Sequence, residues 1–424
     1  MISKAAGDKP VIISRRYAWG VLAVLTVIYV LNFVDRQIVA VLATPIRREL
    51  GLSNVEIGYL YGTAFSFFYA VFGIPMGRLA DVWSRRWVIT LGLLIWSLAT
   101  MMSGLATGLG MLIIARILVG INEAACSPAA YSLLSDYFPA EDRATAISIY
   151  SSGIFIGIGL AFLAGGYISE WYSWRTAFLA VGAPGILLAL IAFTLIRDLP
   201  QKSTPEKNNR FTEDALSFRD AMHHLRRSPA LIWHHIGFSF LAFSGYALLA
   251  FISEFLSGHF KGYQGLLPQF GWFMFLTGLT ITISGKLADR LAKKGDHRRF
   301  IMGIVAALGG LPFFAIGLFN HHAIMGVIFV GLGSSIASSY NGVAPAIVQD
   351  LVPSGMRAVA GGVYLFTISI IGFGFGPPLT GYLIDHVYSG PMAIPLALFT
   401  VLAACGVLAT ISLVIAMKRA KITH

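Results

Sequence analysis

Gly77-Arg-Leu-Ala-Asp81 returns 208 residues later as Gly285-Lys-Leu-Ala-Asp289, and each copy closes an apolar run. Two more pairs keep the same order. Pro139-Ala-Glu-Asp-Arg143-Ala-Thr-Ala matches Pro353-Ser-Gly-Met-Arg357-Ala-Val-Ala at an offset of 214, and Gly166-Tyr167-Ile168 matches Gly381-Tyr382-Leu383 at 215. Three matches in one order, with so little drift, point to a duplicated unit. Working outward from them, the chain reads as twelve apolar spans: 17–45, 54–77, 87–106, 109–135, 143–169 and 174–196, then 229–256, 266–288, 299–319, 322–348, 356–385 and 392–417. About 20 apolar residues suffice to cross the roughly 30 Å hydrocarbon core as a helix.

Composition agrees. Hydrophobic residues form 56% of the 424, charged residues only 12%, and mean hydropathy is +0.74. A soluble chain of this length needs far more charge on its surface. The 45 glycines suit close helix packing in lipid. The expected fold is an all-α membrane protein of two pseudo-symmetric six-helix bundles, 1–196 and 229–424, joined by a polar linker, 197–228. Within the linker, Ser217-Phe-Arg-Asp220 has capping-box form and Ala221, Met222 and Leu225 share a face, so a short amphipathic surface helix is expected there. The basic stretch Met1–Arg16 lacks a cleavable signal pattern and reads as a cytoplasmic tail.

An even span count puts both termini on one side. Twenty-five of the 31 Lys and Arg residues then fall in the termini and loops of that side, against Arg47, Arg48, Arg175 and Lys261 opposite. By the positive-inside rule both termini are cytoplasmic. The net charge of +11 is thus a topology signal, and no nucleic-acid partner is expected. The two cysteines, Cys126 and Cys405, lie in apolar spans and read as small buried hydrophobes. The pairs His223-His224, His234-His235 and His321-His322 lie near span ends without a third ligand at zinc spacing, so neither metal nor cofactor is expected. Pro75, Pro128, Pro345, Pro377 and Pro378 lie inside spans, where each removes a backbone hydrogen bond.

Four charges fall within the spans of the first half: Asp35, Arg36, Arg116 and Glu123. Each costs roughly 2.5–3.5 kcal/mol at bilayer depth on insertion scales, so they must face protein or water. Arg116 and Glu123 are seven apart, which returns nearly to one helix face. Gly120 between them is expected to admit helix one, bringing Asp35 or Arg36 within reach, with Asn32 a turn earlier. The balance of burial and arginine pairing lets such a carboxyl exchange a proton. Asp35 and Glu123 are the expected proton-coupling groups. Arg36 and Arg116 are the expected anion partners, since a guanidinium grips phosphate or carboxylate with two bonds. By the 214 offset Glu123 falls opposite Ala337, and the second half offers Phe240, Phe243, Tyr246, Tyr340, Asn341, Tyr364 and Phe366. A charged wall facing an aromatic one suits an amphipathic anion. The bland alternatives are a static charge cluster locking helices one and four, and aromatics that merely pack.

Gly73-Ile-Pro-Met-Gly77-Arg-Leu-Ala-Asp81-Val-Trp-Ser-Arg85-Arg86 resembles the loop 2–3 signature of the major facilitator superfamily, with Val82 and Ser84 in place of a basic residue and a glycine. In the second copy Arg290 fills the basic slot. Arg116-Ile-Leu-Val-Gly120-Ile-Asn-Glu123-Ala is similar to the family's fourth-helix motif. Leu31-Asn-Phe-Val-Asp35-Arg36-Gln-Ile, Asp136-Tyr-Phe-Pro139 and Trp174-Arg175-Thr-Ala-Phe178 resemble the spinster-like branch. That branch is associated with lysophospholipid and sphingosine-1-phosphate export, with proton coupling proposed. Related organic anion symporters carry the same Asp-Arg pair. The resemblance implies a secondary active transporter in a bacterial inner membrane, working as a monomer by alternating access. Gly77, Asp81, Arg85, Arg86, Arg143, Asp289, Arg290 and Arg357 then serve as gating residues. Its partners are protons, membrane lipids and an anionic lipid or, alternatively, a small organic anion such as a sugar acid. An enzyme acting on lipids is disfavoured, because no nucleophile elbow, His-Glu-x-x-His or phosphate-binding glycine loop occurs.

Overall fold

The computed structural model describes residues 14–197, 223, 226–353 and 356–423. Among them twelve helices are long and apolar enough to cross a membrane: α1 (Arg15–Val41), α2 (Asn54–Ala80), α3 (Arg85–Gly104), α4 (Leu109–Tyr137), α5 (Thr145–Ser169), α6 (Trp174–Leu195), α7 (Pro229–His259), α8 (Leu266–Ala292), α9 (Asp296–Leu318), α10 (Ala323–Asp350), α11 (Val359–Val387) and α12 (Ala393–Lys421). The described residues contain no strand. The helix expected around Ser217–Leu225 falls mostly outside them.

Serines set many of the helix starts. Ser14, Ser84, Ser173 and Ser228 each accept a hydrogen bond from the backbone N–H three residues on, and Pro229 takes the first position of α7, where no donor is lost. Ser53 and Glu56 form a complete capping box at α2. The first span, expected to run to residue 45, stops at Val41, and a separate helix occupies Ala43–Leu50. Pro45 explains the break. In a continuous helix its ring would meet the carbonyl four residues back, whereas a restart at Ala43 puts it in a first turn. Two helices depart from α geometry where they meet: α2 is π-helical over Tyr59–Thr63 and α11 over Ile368–Gly374, with a further π turn at Leu383–Val387. Such segments concentrate at functional sites.

Helices α1–α6 pack as one bundle, through α1 on α5, α2 on α4 and α3 on α6, and α7–α12 as a second, through α7 on α12 and α8 on α10. Arg15 reaches Asp142, and the Tyr17 hydroxyl donates to the Leu195 carbonyl, so the starts of α1 and α5 and the end of α6 share one face. Gly237 lies against Leu413 and Ala409, which sets the end of α12 beside the start of α7. The opposite, far face is where Thr44 meets Ser253 and the end of α1 meets that of α7. The bundles touch where α5 packs on α8, where α2 packs on α11 and, at the far face, where the end of α1 packs on α7. Apolar side chains such as Ile74, Leu190 and Ile114 remain exposed on the outside, as lipid contact requires.

Candidate functional site

The four intramembrane charges meet as expected, with a different division of partners. Asp35 and Arg36 lie near the far end of α1, Arg116 lies near the far end of α4, and Glu123 sits at the middle of α4. Arg36 Nη2 donates to Glu123 Oε2 at 3.0 Å and to Asn32 Oδ1 at 3.4 Å. The Glu123 side chain is 0% exposed and that of Arg36 only 9%. Three rings surround this guanidinium: Phe33, Phe65 and Tyr69 have centroids 4.6, 4.8 and 4.7 Å from its Cζ. Cation–π contact offsets part of the lost hydration. Arg116 turns instead to backbone. Its Nη1 donates to the Asp35 carbonyl at 3.2 Å and its Nη2 to the Arg36 carbonyl at 3.5 Å. The Asp35 carboxyl oxygens have no hydrogen-bond partner, although the residue is 0% exposed.

Gly120 corrects one expectation. It admits α2 rather than α1, since a Cβ there would lie 2.7 Å from the Phe65 carbonyl oxygen. The α2 backbone therefore passes close enough for Phe65 to cover both Arg36 and Arg116.

The second bundle meets this site through one aromatic stack. Tyr246 lies on Phe373 at 4.2 Å and 8°, and Phe373 touches Tyr61 and Phe65 across the seam. The Tyr61 hydroxyl donates to Gln37 Oε1 at 2.8 Å. The other residues expected in the aromatic wall are spread out. Tyr340 stacks on Phe238, and Tyr364 lies against the rings of His234 and His235, toward the termini face. Phe243 packs with Val401 and Cys405 inside the second bundle, and Phe240 borders that cluster. Phe366 and Asn341 are exposed, with Asn341 Nδ2 on the Ser338 carbonyl. The His234-His235 pair is buried. Its Nε2 and Nδ1 atoms, respectively, contact the Ala344 and Leu231 carbonyls.

The sequence motifs on the termini face form the same network twice. Arg85 bonds Asp136 in the first bundle, and Arg299 bonds Asp350 in the second, a shift of 214 for both residues. Arg143 Nη2 reaches the Ser135 carbonyl at 2.9 Å, and Arg357 Nε reaches the Gln349 carbonyl at 3.3 Å, again shifted by 214. Arg299 also holds Asp289 at 3.1 Å, and Arg86 lies over Phe193. Arg290 is exposed, Gly77 lies near Pro128, and the side chain of Asp81 is outside the described residues. Each contact named here stays within its own bundle.

The bonds between bundles lie toward the far face, and sequence reasoning missed them. Arg47 pairs with Glu254 at 2.6 Å, and Ser253 Oγ donates to the Val41 carbonyl at 2.9 Å. Asp385 accepts from Asn54 Nδ2 at 2.6 Å and from the Val55 N–H at 3.0 Å, so a carboxylate of one bundle caps a helix of the other. Thr63 Oγ1 donates to the Gly374 carbonyl at 2.6 Å, joining the two π-helical segments. Glu254 adds a buried charge in the second half: it lies inside the seventh span and is 6% exposed. That carboxylate in an apolar span was the available signal. Phe33, three residues before Arg36, and Phe65 with Tyr69, one turn apart on α2, were the signal for the aromatic cage.

The family model of the Major Facilitator Superfamily matches residues 25–377. An MFS-type efflux pump of Mycolicibacterium smegmatis is 30% identical over 92% of this chain and 90% of its own length. A D-galactonate transporter of Escherichia coli O6:H1 is 28% identical over 96% and 97%. A crystal structure of a bacterial homologue of the human lysosomal transporter Spinster, inward-facing and unoccupied, superposes with a TM-score of 0.81 at 26% identity, covering 96% of this chain and 98% of that one.

Proposed function

The chain belongs to the major facilitator superfamily, and on that premise we propose that it couples protons to the movement of an amphipathic organic anion of the lysophospholipid or sphingosine-1-phosphate kind. It is a membrane transporter, and its relatives are transporters rather than enzymes. The observation that carries the finer reading is the buried Arg36–Glu123 pair under three rings. When Glu123 takes up a proton the pair loses its charge attraction. Arg36 is then free, still held by Phe33, Phe65 and Tyr69, to grip a phosphate or carboxylate. Proton release restores the pair and expels the anion. Asp35 is the second proton group, and Arg116 fixes the α1 backbone that carries both Asp35 and Arg36.

Tyr246 and Phe373 supply an aromatic surface beside Arg36. A sugar acid would need a polar partner for each hydroxyl, and an unpaired buried hydroxyl costs about 1–3 kcal/mol. An acyl chain needs none. The small-anion reading is supported by the D-galactonate relative. The lysine and arginine bias makes the termini face cytoplasmic, in a bacterial plasma membrane. The far-face bonds are then a closed outer gate. The paired networks around Asp136 and Asp350, with Gly77, Asp81, Arg86 and Arg290, regroup as the inner gate when a monomer rocks between states. Uptake into proteoliposomes under an imposed proton gradient tests this reading. Saturable, gradient-dependent movement of a lysophospholipid, with no response to galactonate, is expected. Movement of the sugar acid alone would replace the lipid reading by the small-anion one.

A further inference from the structure

Beside α3, three polar groups meet without a hydrogen-bond partner. Both carboxyl oxygens of Asp35, the Trp96 indole N–H and the Thr100 hydroxyl are orphaned, and these residues are 0%, 0% and 2% exposed. Trp96 and Thr100 are one turn apart on one face of α3, and Gly185 of α6 lies against both Ser97 and Leu31, which sets this face of α3 beside the turns of α1 that lead to Asp35. The charged groups that face Asp35 are Arg116 and Glu123 on α4. Arg116 donates to main-chain carbonyls, and Glu123 is bonded to Arg36. Within α6 the titratable side chain is Arg175, which is tied to Glu49 at the far face. No arginine therefore bonds the Asp35 carboxyl, and the polar side chains that serve it come from α3.

We infer that Trp96 and Thr100 are positioning residues that hold the Asp35 carboxyl in both its charged and its protonated form. The inference rests on the reading of Asp35 as a proton group. The chemistry of the two partners differs. An indole N–H only donates, so Trp96 serves the carboxylate best. A hydroxyl donates or accepts, so Thr100 can give its proton to the carboxylate and, by rotating, accept one from the acid. Either contact can run directly or through one buried water, as orphaned polar groups in a closed site commonly do. A proton can then arrive or leave at Asp35 while Arg116 stays on its carbonyls. Asp35 and Arg36 are neighbours on α1, about 100° apart around the helix. The same turn of helix thus presents the proton to α3 and the anion-binding guanidinium to α2 and α4.

The test uses full-length protein in lipid bilayers, with Trp96→Phe and the near-isosteric Thr100→Val. Infrared difference spectra across a pH titration give the carboxyl C=O band of Asp35, assigned by its loss in Asp35→Asn. Thr100→Val should shift that band, because the acid loses its acceptor. Trp96→Phe should move the midpoint of the band and of proton-driven transport to higher pH by about one unit, because a donor to the charged form is lost. A packing role alone would move neither. The inference is overturned if Asp35→Asn abolishes the band and the pH dependence while both α3 variants keep the wild-type band and midpoint. If Asp35→Asn itself keeps wild-type pH dependence, the underlying proton reading fails instead. Should Trp96→Phe not fold, the band position in Thr100→Val decides the matter.

Discussion

Glu254→Gln removes one charge from the far-face latch and leaves its shape in place. In the structure Glu254 Oε1 accepts from Arg47 Nη2 at 2.6 Å, with the glutamate side chain 8% exposed and the arginine 29%. A hydrogen bond to a charged group contributes about 1.5–3 kcal/mol, and the partly exposed arginine argues for the lower part of that range. The bond joins the two bundles, so its loss should weaken this conformation and leave an alternative one without the latch untouched. A bias of about 1.5 kcal/mol shifts a two-state population roughly tenfold. Spin labels at the exposed far-face residues Trp171 and Val387, read by double electron–electron resonance in nanodiscs, report the separation of the bundles. The variant should gain a longer-distance population at the expense of the short one. Arg47→Gln should do the same, and the double variant should add little. An unchanged distance distribution in both single variants would refute the idea that this pair holds the far face closed.

Other expectations follow from the same contacts. A Cβ on Gly58 would come within 2.6 Å of the Pro378 backbone, so Gly58→Leu should part α2 from α11 and slow transport at least tenfold while surface expression persists. The Glu49 carboxyl is held below its ordinary range, first by the Trp174 indole N–H and then by Arg175. Because the folded value is the lower one, this contact stabilises above the unfolded pKa and fades as pH falls through the folded value. The melting-temperature gap between wild type and Glu49→Gln should therefore shrink below about pH 4.3. Arg36→Ala leaves the buried Glu123 unpaired and should cost about 3–5 kcal/mol of stability, and adding Glu123→Gln should recover most of it by thermal melting in detergent.

Much of the architecture was legible because lipid imposes simple rules. Twelve apolar runs are a local signal of this kind. The 214 offset of the Pro139 and Pro353 motifs carries Asp136 to Asp350, but the 208 offset of Gly77 and Gly285 carries Arg85 to Lys293, so the duplicated Arg85–Asp136 and Arg299–Asp350 bonds became visible only in the fold. Inside the site, periodicity placed Arg116 and Glu123 on one face but could not rank their partners. Asp35 and Arg36 differ by one residue, and only the helix rotation decides which meets Glu123. Gly120 was read as space for α1 because contact order along the bundle is not encoded locally, and the space belongs to Phe65 of α2. The residues expected in the aromatic wall are dispersed for the same reason: Phe243 and Tyr246 are three apart, yet one packs against α12 and the other stacks on Phe373 beside Arg36. The far-face latch joins residues more than 200 apart, such as Arg47 with Glu254 and Asn54 with Asp385, which no repeat or motif links.

The most direct test of the account compares wild-type protein with Glu123→Gln in proteoliposomes, measuring lysophospholipid movement with and without a proton gradient. The wild type should accelerate when the gradient is applied. The variant should still bind the lipid through Arg36, with movement that no longer responds to the gradient. A variant that keeps the full wild-type response would contradict the central claim that proton uptake by Glu123 frees Arg36 for the anion.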